Sequence, residues 1–151
     1  MMFFMAFTNG IPLSDKESVK LFIASSFVET ILQAASACPD KEICGLLIGK
    51  ANSVTEIRPM ENKAAHPERF FEMEEADLIR SHREARERGL KVIGHYHSHP
   101  SGNCRPSHWD AALAHDGQYW LIAASNKIEG WYAGKNGVVE GIFHPCRLVV
   151  E

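Results

Sequence analysis

No two cysteines in the chain are spaced as Cys-x-x-Cys. Those present, Cys38, Cys44, Cys104 and Cys146, therefore support neither a zinc ribbon nor a dithiol redox motif. No apolar run approaches the ~20 residues that a membrane-spanning helix needs. The stretch Met1–Phe7 is apolar, but it lacks a basic leader and polar Thr8-Asn9-Gly10 follows at once. It is too short to span a bilayer and a poor secretory signal. An edge strand, a packing arm or a loose end within residues 1–13 is expected there. Without a secretion signal, reduced and mostly buried thiols are expected, and with them a cytoplasmic protein. Neither charge sign is in excess: 16 basic against 19 acidic residues give a net charge of −3. That balance gives no reason to expect a nucleic-acid or membrane partner. Internal repeats, low-complexity tracts and linker-like segments are also missing, so residues 1–151 are read as a single domain.

What is present fits a folded domain. Hydrophobic residues make up 45% and charged residues 23%, which argues against disorder. Val19–Ala24 reads as a strand. Ser26-Phe-Val-Glu29 has the form of a capping box, and Phe27, Val28, Ile31, Leu32 and Ala35 continue at helical spacing, predicting a helix over 26–37. Ile43–Ile48 reads as a buried strand and Val54–Arg58 as its neighbour, with a further short strand at Phe70–Met73. Glu74–Arg88 predicts an amphipathic helix with Leu78, Ile79, His82 and Ala85 on one face, stopped by Gly89. Val92 and Ile93 begin a strand, Ser107 is placed to cap a short helix through Ala114, and three strands follow at Tyr119–Ala124, Ile128–Ala133 and Val138–Phe143. Asn126-Lys127 and Asn136-Gly137 are the expected turns. This order predicts an α/β (α+β) fold with a central mixed β-sheet flanked by helices.

The chemistry concentrates near residue 97. Of the eight histidines, five lie between positions 95 and 115. His97-Ser98-His99 places imidazoles two residues apart, hence on one face of a strand that Pro100 ends. A catalytic zinc usually has three protein ligands and an open fourth position. Asp110 is the candidate third, three residues beyond Ser107. Two neutral imidazoles and one carboxylate leave Zn²⁺ a net positive charge, which brings a water's pKa toward about 7. A base that is not itself a ligand is also required. Glu42, at the mouth of the buried strand Ile43–Ile48, is the candidate. Ser107 is the candidate donor to the oxyanion.

The spacing Glu42, then His97-Ser98-His99, seven residues, Ser107-x-x-Asp110 resembles the JAMM motif of the MPN-plus (JAB1/Mov34-like) zinc metallopeptidases. The surrounding Glu42–Gly49 and Gly94–Pro100 also look like that family, and the resemblance extends from about Phe22 to about Phe143. It implies a cytidine-deaminase-like JAB/MPN fold and one Zn²⁺ per chain held by His97, His99 and Asp110. It further implies Glu42 as general base and Ser107 as stabiliser of the tetrahedral intermediate. The compact length resembles stand-alone prokaryotic members. Those act on ubiquitin-like or sulfur-carrier proteins, cutting a peptide or isopeptide bond after the C-terminal Gly-Gly.

Other residues admit two readings. On a regular strand His95 shares the face of His97 and His99, so it is either an accessory ligand or, as preferred here, a packing or supporting residue. Cys104 lies in the loop between the ligands. Either its thiolate reaches the open metal position as a redox or inhibitory switch, or it makes no metal contact. His108 is either a substrate contact or an exposed helix residue, and Trp109 is either a groove-lining or an anchoring aromatic. At the level of the whole chain, a base deaminase would need His-x-Glu with Pro-Cys-x-x-Cys, whereas Pro145-Cys146 is followed by Arg-Leu-Val. A structural zinc site would be four-coordinate and cysteine-rich. The alternative kept is a non-catalytic MPN-type zinc-binding scaffold for protein–protein interaction, although such members typically lose motif residues and this chain keeps all of them.

Overall fold

The computed structural model describes residues 19–151; the apolar stretch Met1–Phe7 lies outside them. The elements run β1 Val19–Ile23, α1 Ser25–Ala37, β2 Cys44–Lys50, β3 Ser53–Met60, α2 Glu75–Glu87, β4 Lys91–Ser98, α3 His108–Leu113, β5 Tyr119–Ala124, β6 Lys127–Gly137 and β7 Gly141–Val150. The strands form one mixed sheet in the order β1-β3-β2-β4-β5-β6-β7. It curls closed because β1 pairs in parallel with β7 along its length and touches β3 at Phe22–Ser53.

Both faces of the sheet are covered, which is why β2 reads as a continuous apolar run rather than an alternating one. Leu47 points to the face closed by α1, where it packs with Ile31, Leu21, Tyr96 and Leu121. Its neighbours Leu46 and Ile48 point the other way, onto Ala85 of α2. On β5 the same alternation sends Leu121 and Ala123 to the α1 side. Trp120 and Ile122 go to a second cluster with Trp131 and Phe143.

Several local expectations shift. Helix α1 starts one residue early, at Ser25, with Ala24 as its N-cap and no side-chain cap bond. The predicted Ser26–Glu29 box does not form, because the turn entering from β1 places Ser26 inside the helix. On α2 the buried positions are Ser81 and Ala85 and Leu78 packs beside Ala85 as expected, while Ile79 and His82 are exposed; the helix is rotated so that Leu78, Ser81 and Ala85 meet the sheet. Phe70–Met73 is not a strand, since the bonds it makes go to the side chain of Asn62, to Lys63 and to the His66 carbonyl rather than to a ladder. The β5–β6 turn is Ser125-Asn126, both at positive φ, one residue ahead of the Asn126-Lys127 expected. Asn136-Gly137 does not reverse the chain either. Strand β6 runs through it with a register shift, the reversal falls at 138–140, and the last strand begins at Gly141 rather than Val138.

The topology determines where a site can form. Strands β4 and β5 are parallel neighbours, joined by a loop and α3 that cross back over the tip of β4. Ligand sites in such arrangements lie at the carboxyl ends of the parallel strands. Strand β2 is antiparallel to β4 with Cys44 opposite His97. That register carries Glu42, two residues ahead of Cys44, to the level of His99.

Candidate metal centre

His97, His99 and Asp110 are buried and their donor atoms converge. His97 Nε2 lies 3.0 Å from His99 Nε2. The Asp110 carboxylate reaches His99 Nε2 at 3.1 Å through Oδ2 and His97 Nε2 at 3.3 Å through Oδ1. Ligands 2.0–2.1 Å from a tetrahedral ion stand about 3.3 Å apart. The two imidazole nitrogens and the Asp110 carboxylate thus lie close enough together to share one such ion. The group consists of nitrogen and oxygen donors with a single negative charge, as a catalytic Zn²⁺ requires.

Each ligand is set by its local structure. His99 Nδ1 lies 3.0 Å from the Asn103 carbonyl. A carbonyl only accepts, so Nδ1 carries the proton and Nε2 presents its lone pair to the site. Asp110 is placed by the N-terminus of α3. Ser107 Oγ accepts from Asp110 N at 3.0 Å, and Asp110 Oδ2 accepts from Ser107 N at 2.8 Å, a reciprocal capping box. His97 is held differently. Its Nδ1 is buried without a partner, while the Phe71 ring stacks on it at 4.6 Å and 24° and Trp120 meets it edge-on at 5.6 Å.

Charge follows this packing. Burial works against an ionised Asp110, but the charges and hydrogen bonds of His97 and His99 hold its carboxyl well below the usual carboxylate range. Burial pushes the His97 imidazolium down, with Asp110 opposing. His99 is also disfavoured by burial, yet in the metal-free chain its bond to Asp110 carries it above its usual value, a proton that a metal at Nε2 would displace. Glu42 is 5% exposed. Burial raises its carboxyl to about 7, with His99 opposing and Asp110 reinforcing. Its Oε1 is buried with no partner.

Two supports escaped sequence reasoning. Ser98 Oγ, buried between the ligands, accepts from Ile43 N at 2.9 Å while Ser98 N donates to Ile43 O at 3.0 Å; these bonds lock the Glu42 strand to the ligand strand. Asn62 binds the Glu42 carbonyl through Nδ2 at 2.8 Å. A serine inside His-x-His offered a signal, whereas Asn62, 35 residues from His97, offered none.

His95 is not in the converging group. Its ring lies against Trp120 at 4.1 Å, and burial, then the neighbouring His97, push its pKa down to about 3. The Cys104 thiol faces the Ala124 and Lys127 carbonyls within the Trp120–Phe143 cluster. Its own carbonyl accepts from Trp131 Nε1 at 2.9 Å. Cys104 thereby anchors the loop that supplies Asn103 to His99, and burial raises its pKa. His108 and Trp109 are exposed, with Trp109 edge-on to Phe70 at 5.2 Å. A cleft of about 230 Å³ opens beside His99, lined in part by Leu32, Cys38, Pro39 and Ser125.

Comparison with known proteins agrees with this geometry. The family model for prokaryotic homologs of the JAB domain matches residues 24–135. A desampylase of Pyrococcus furiosus is 31% identical over 129 residues, covering 76% of this chain and 90% of the relative. A desampylase of Haloferax volcanii is 31% identical over 114 residues, covering 71% and 82%. A solution structure from Desulfitobacterium hafniense superposes with a TM-score of 0.72 at 25% identity, covering 87% of this chain and 92% of that one. With a His97-His99-Asp110 triad positioned to chelate a single Zn²⁺, the chain belongs to the prokaryotic JAB-domain family of JAMM-type zinc metallopeptidases.

Proposed function

We propose that the protein is a single-domain isopeptidase of the cytoplasm that hydrolyses the bond following the C-terminal Gly-Gly of a ubiquitin-like or sulfur-carrier protein. The observation that carries the reading is the convergence of His97, His99 and Asp110 beside a buried carboxyl, Glu42, that binds none of them and has an unpartnered oxygen. The motif resemblance to stand-alone prokaryotic members, and the name desampylase borne by both relatives, support the substrate class. The cytoplasmic assignment rests on four free cysteines. No helix of the described residues is long and apolar enough to cross a membrane.

Zn²⁺ at this triad supplies a Lewis acid that makes water nucleophilic near neutral pH and polarises the scissile carbonyl. The chain's residues do the rest. Glu42 takes the proton from the attacking water and returns it to the leaving amine, a task suited to a buried carboxyl whose Oε1 has no other partner. The Ser107 hydroxyl accepts from Asp110 N, so its own proton is free for the oxyanion. Asn103 keeps His99 in the ligating tautomer. Phe71 and Trp120 exclude water from the back of His97.

The test is elemental analysis of the purified protein, combined with cleavage of a Gly-Gly-tailed ubiquitin-like fusion with and without chelator. About one zinc per chain and chelator-sensitive cleavage after Gly-Gly are expected. Zinc without cleavage of any such fusion would refute the substrate class and turn the reading toward a zinc-binding scaffold.

A further inference from the structure

The segment 62–72, which belongs to no helix or strand beyond the end of β3, touches the metal centre twice. Phe71 stacks on His97, the ligand whose Nδ1 has no hydrogen bond to orient it. Pro67 O accepts from Glu42 N at 2.7 Å. A loop in this position needs its own reason to stay fixed, and Asn62 provides it. Asn62 Nδ2 donates to Glu42 O at 2.8 Å and to Phe70 O at 2.9 Å. Asn62 Oδ1 accepts from Ala64 N at 2.9 Å and from Glu72 N at 3.1 Å.

Those bonds use the full capacity of a carboxamide, two donors and two lone pairs. The partners are two carbonyls and two N–H groups, so only one orientation of the amide satisfies them all. Two of the bonds, at Phe70 and Glu72, flank Phe71 and fix the backbone from which its ring reaches His97. A third fixes the carbonyl of Glu42, whose N–H the same segment already holds. No other residue type offers this set: aspartate lacks the donors, and glutamine is longer by a methylene.

We propose that Asn62 is a positioning residue for the metal centre, joining the Glu42 peptide and the Phe71 support of His97 into one rigid unit. The part that concerns Glu42 rests on the reading of that residue as the base; the part that concerns His97 rests on the zinc triad alone. Ligand-supporting groups are worth about 10–100-fold in metal affinity. Misplacing a reacting group by about 1 Å costs about 10²-fold in rate.

The test compares Asn62→Ala, Asn62→Asp and Phe71→Leu with the wild-type chain. Zinc affinity is measured by competition with a chromophoric chelator, kcat and KM on the Gly-Gly-tailed fusion, and stability by urea unfolding. Asn62→Asp keeps the acceptor bonds to Ala64 and Glu72 but loses both donor bonds, and it serves if the alanine variant fails to fold. Both Asn62 variants are expected to bind zinc about tenfold or more weakly, with kcat down about 10–100-fold and KM within about twofold. Phe71→Leu is expected to weaken zinc by the same route. Folded Asn62 variants with wild-type zinc affinity and only a lower urea midpoint would overturn the proposal, as would unchanged zinc affinity in Phe71→Leu. If the wild-type chain does not cleave the fusion, the substrate reading fails, while the zinc measurements still decide this one.

Discussion

In the metal-free protein, Glu42→Gln should reverse a pH-dependent instability built into the site. Glu42 titrates at about 7 in the folded chain, against 4.5 for an ordinary glutamate. That difference corresponds to about 3 kcal/mol favouring the neutral acid. Below pH 4.5 the carboxyl is protonated in folded and unfolded chains alike, and the environment costs nothing. As pH rises from 4.5 toward 7 the unfolded chain releases the proton while the folded chain keeps it, so stability falls. Above about 7 the full penalty is present. Glutamine carries no such term. The unfolding free energy of Glu42→Gln minus that of wild type should therefore increase by about 3 kcal/mol between pH 4.5 and 8. Using this change removes the pH-independent effects of the substitution and the contributions of His95, His97 and His99, which both proteins share; Asp110, with its depressed pKa, contributes below this window. Urea unfolding with linear extrapolation at several pH values measures it. A difference that stays flat with pH would refute the burial argument for Glu42. The same variant, loaded with zinc, should retain the metal and lose cleavage, since Glu42 is not in the ligand group.

Ser107→Ala should lower kcat about 10²-fold through loss of the oxyanion donor, with KM little changed, and should cost about 1 kcal/mol of stability as a lost helix cap; steady-state kinetics and urea unfolding read the two effects separately. Gly94→Ala should destabilise the protein by about 3 kcal/mol or more, because a Cβ there would sit 1.9 Å from the Tyr119 carbonyl on the parallel strand β5; thermal unfolding checks it. A disulfide reagent should find one fast thiol, half-buried Cys38. Cys44, Cys104 and Cys146 are buried, with burial pushing Cys44 and Cys146 up to about 12. Cys104→Ser should leave cleavage unchanged, and an activity gain would restore the switch reading of that cysteine.

The sequence by itself determined whatever depends on short separations. The parity of a strand puts His97 and His99 on one side, and the capping spacing joins Ser107 to Asp110; both hold because backbone geometry over two or three residues is nearly fixed. The burial of β2 was legible as well, as a short continuous apolar run. Tertiary structure decided the rest. Whether Glu42 meets the triad depends on the register Cys44–His97 across 53 residues of chain, and no local pattern encodes a register. The turns at Ser125-Asn126 and at 138–140 follow the registers in which β6 pairs with β5 and β7, not the favoured dipeptide. Asn62, Phe71 and the anchoring role of Cys104 became visible only in the folded chain. Their importance lies in partners brought together from distant segments, and an asparagine, a phenylalanine or a cysteine in a loop carries no sequence mark of the neighbours it will meet.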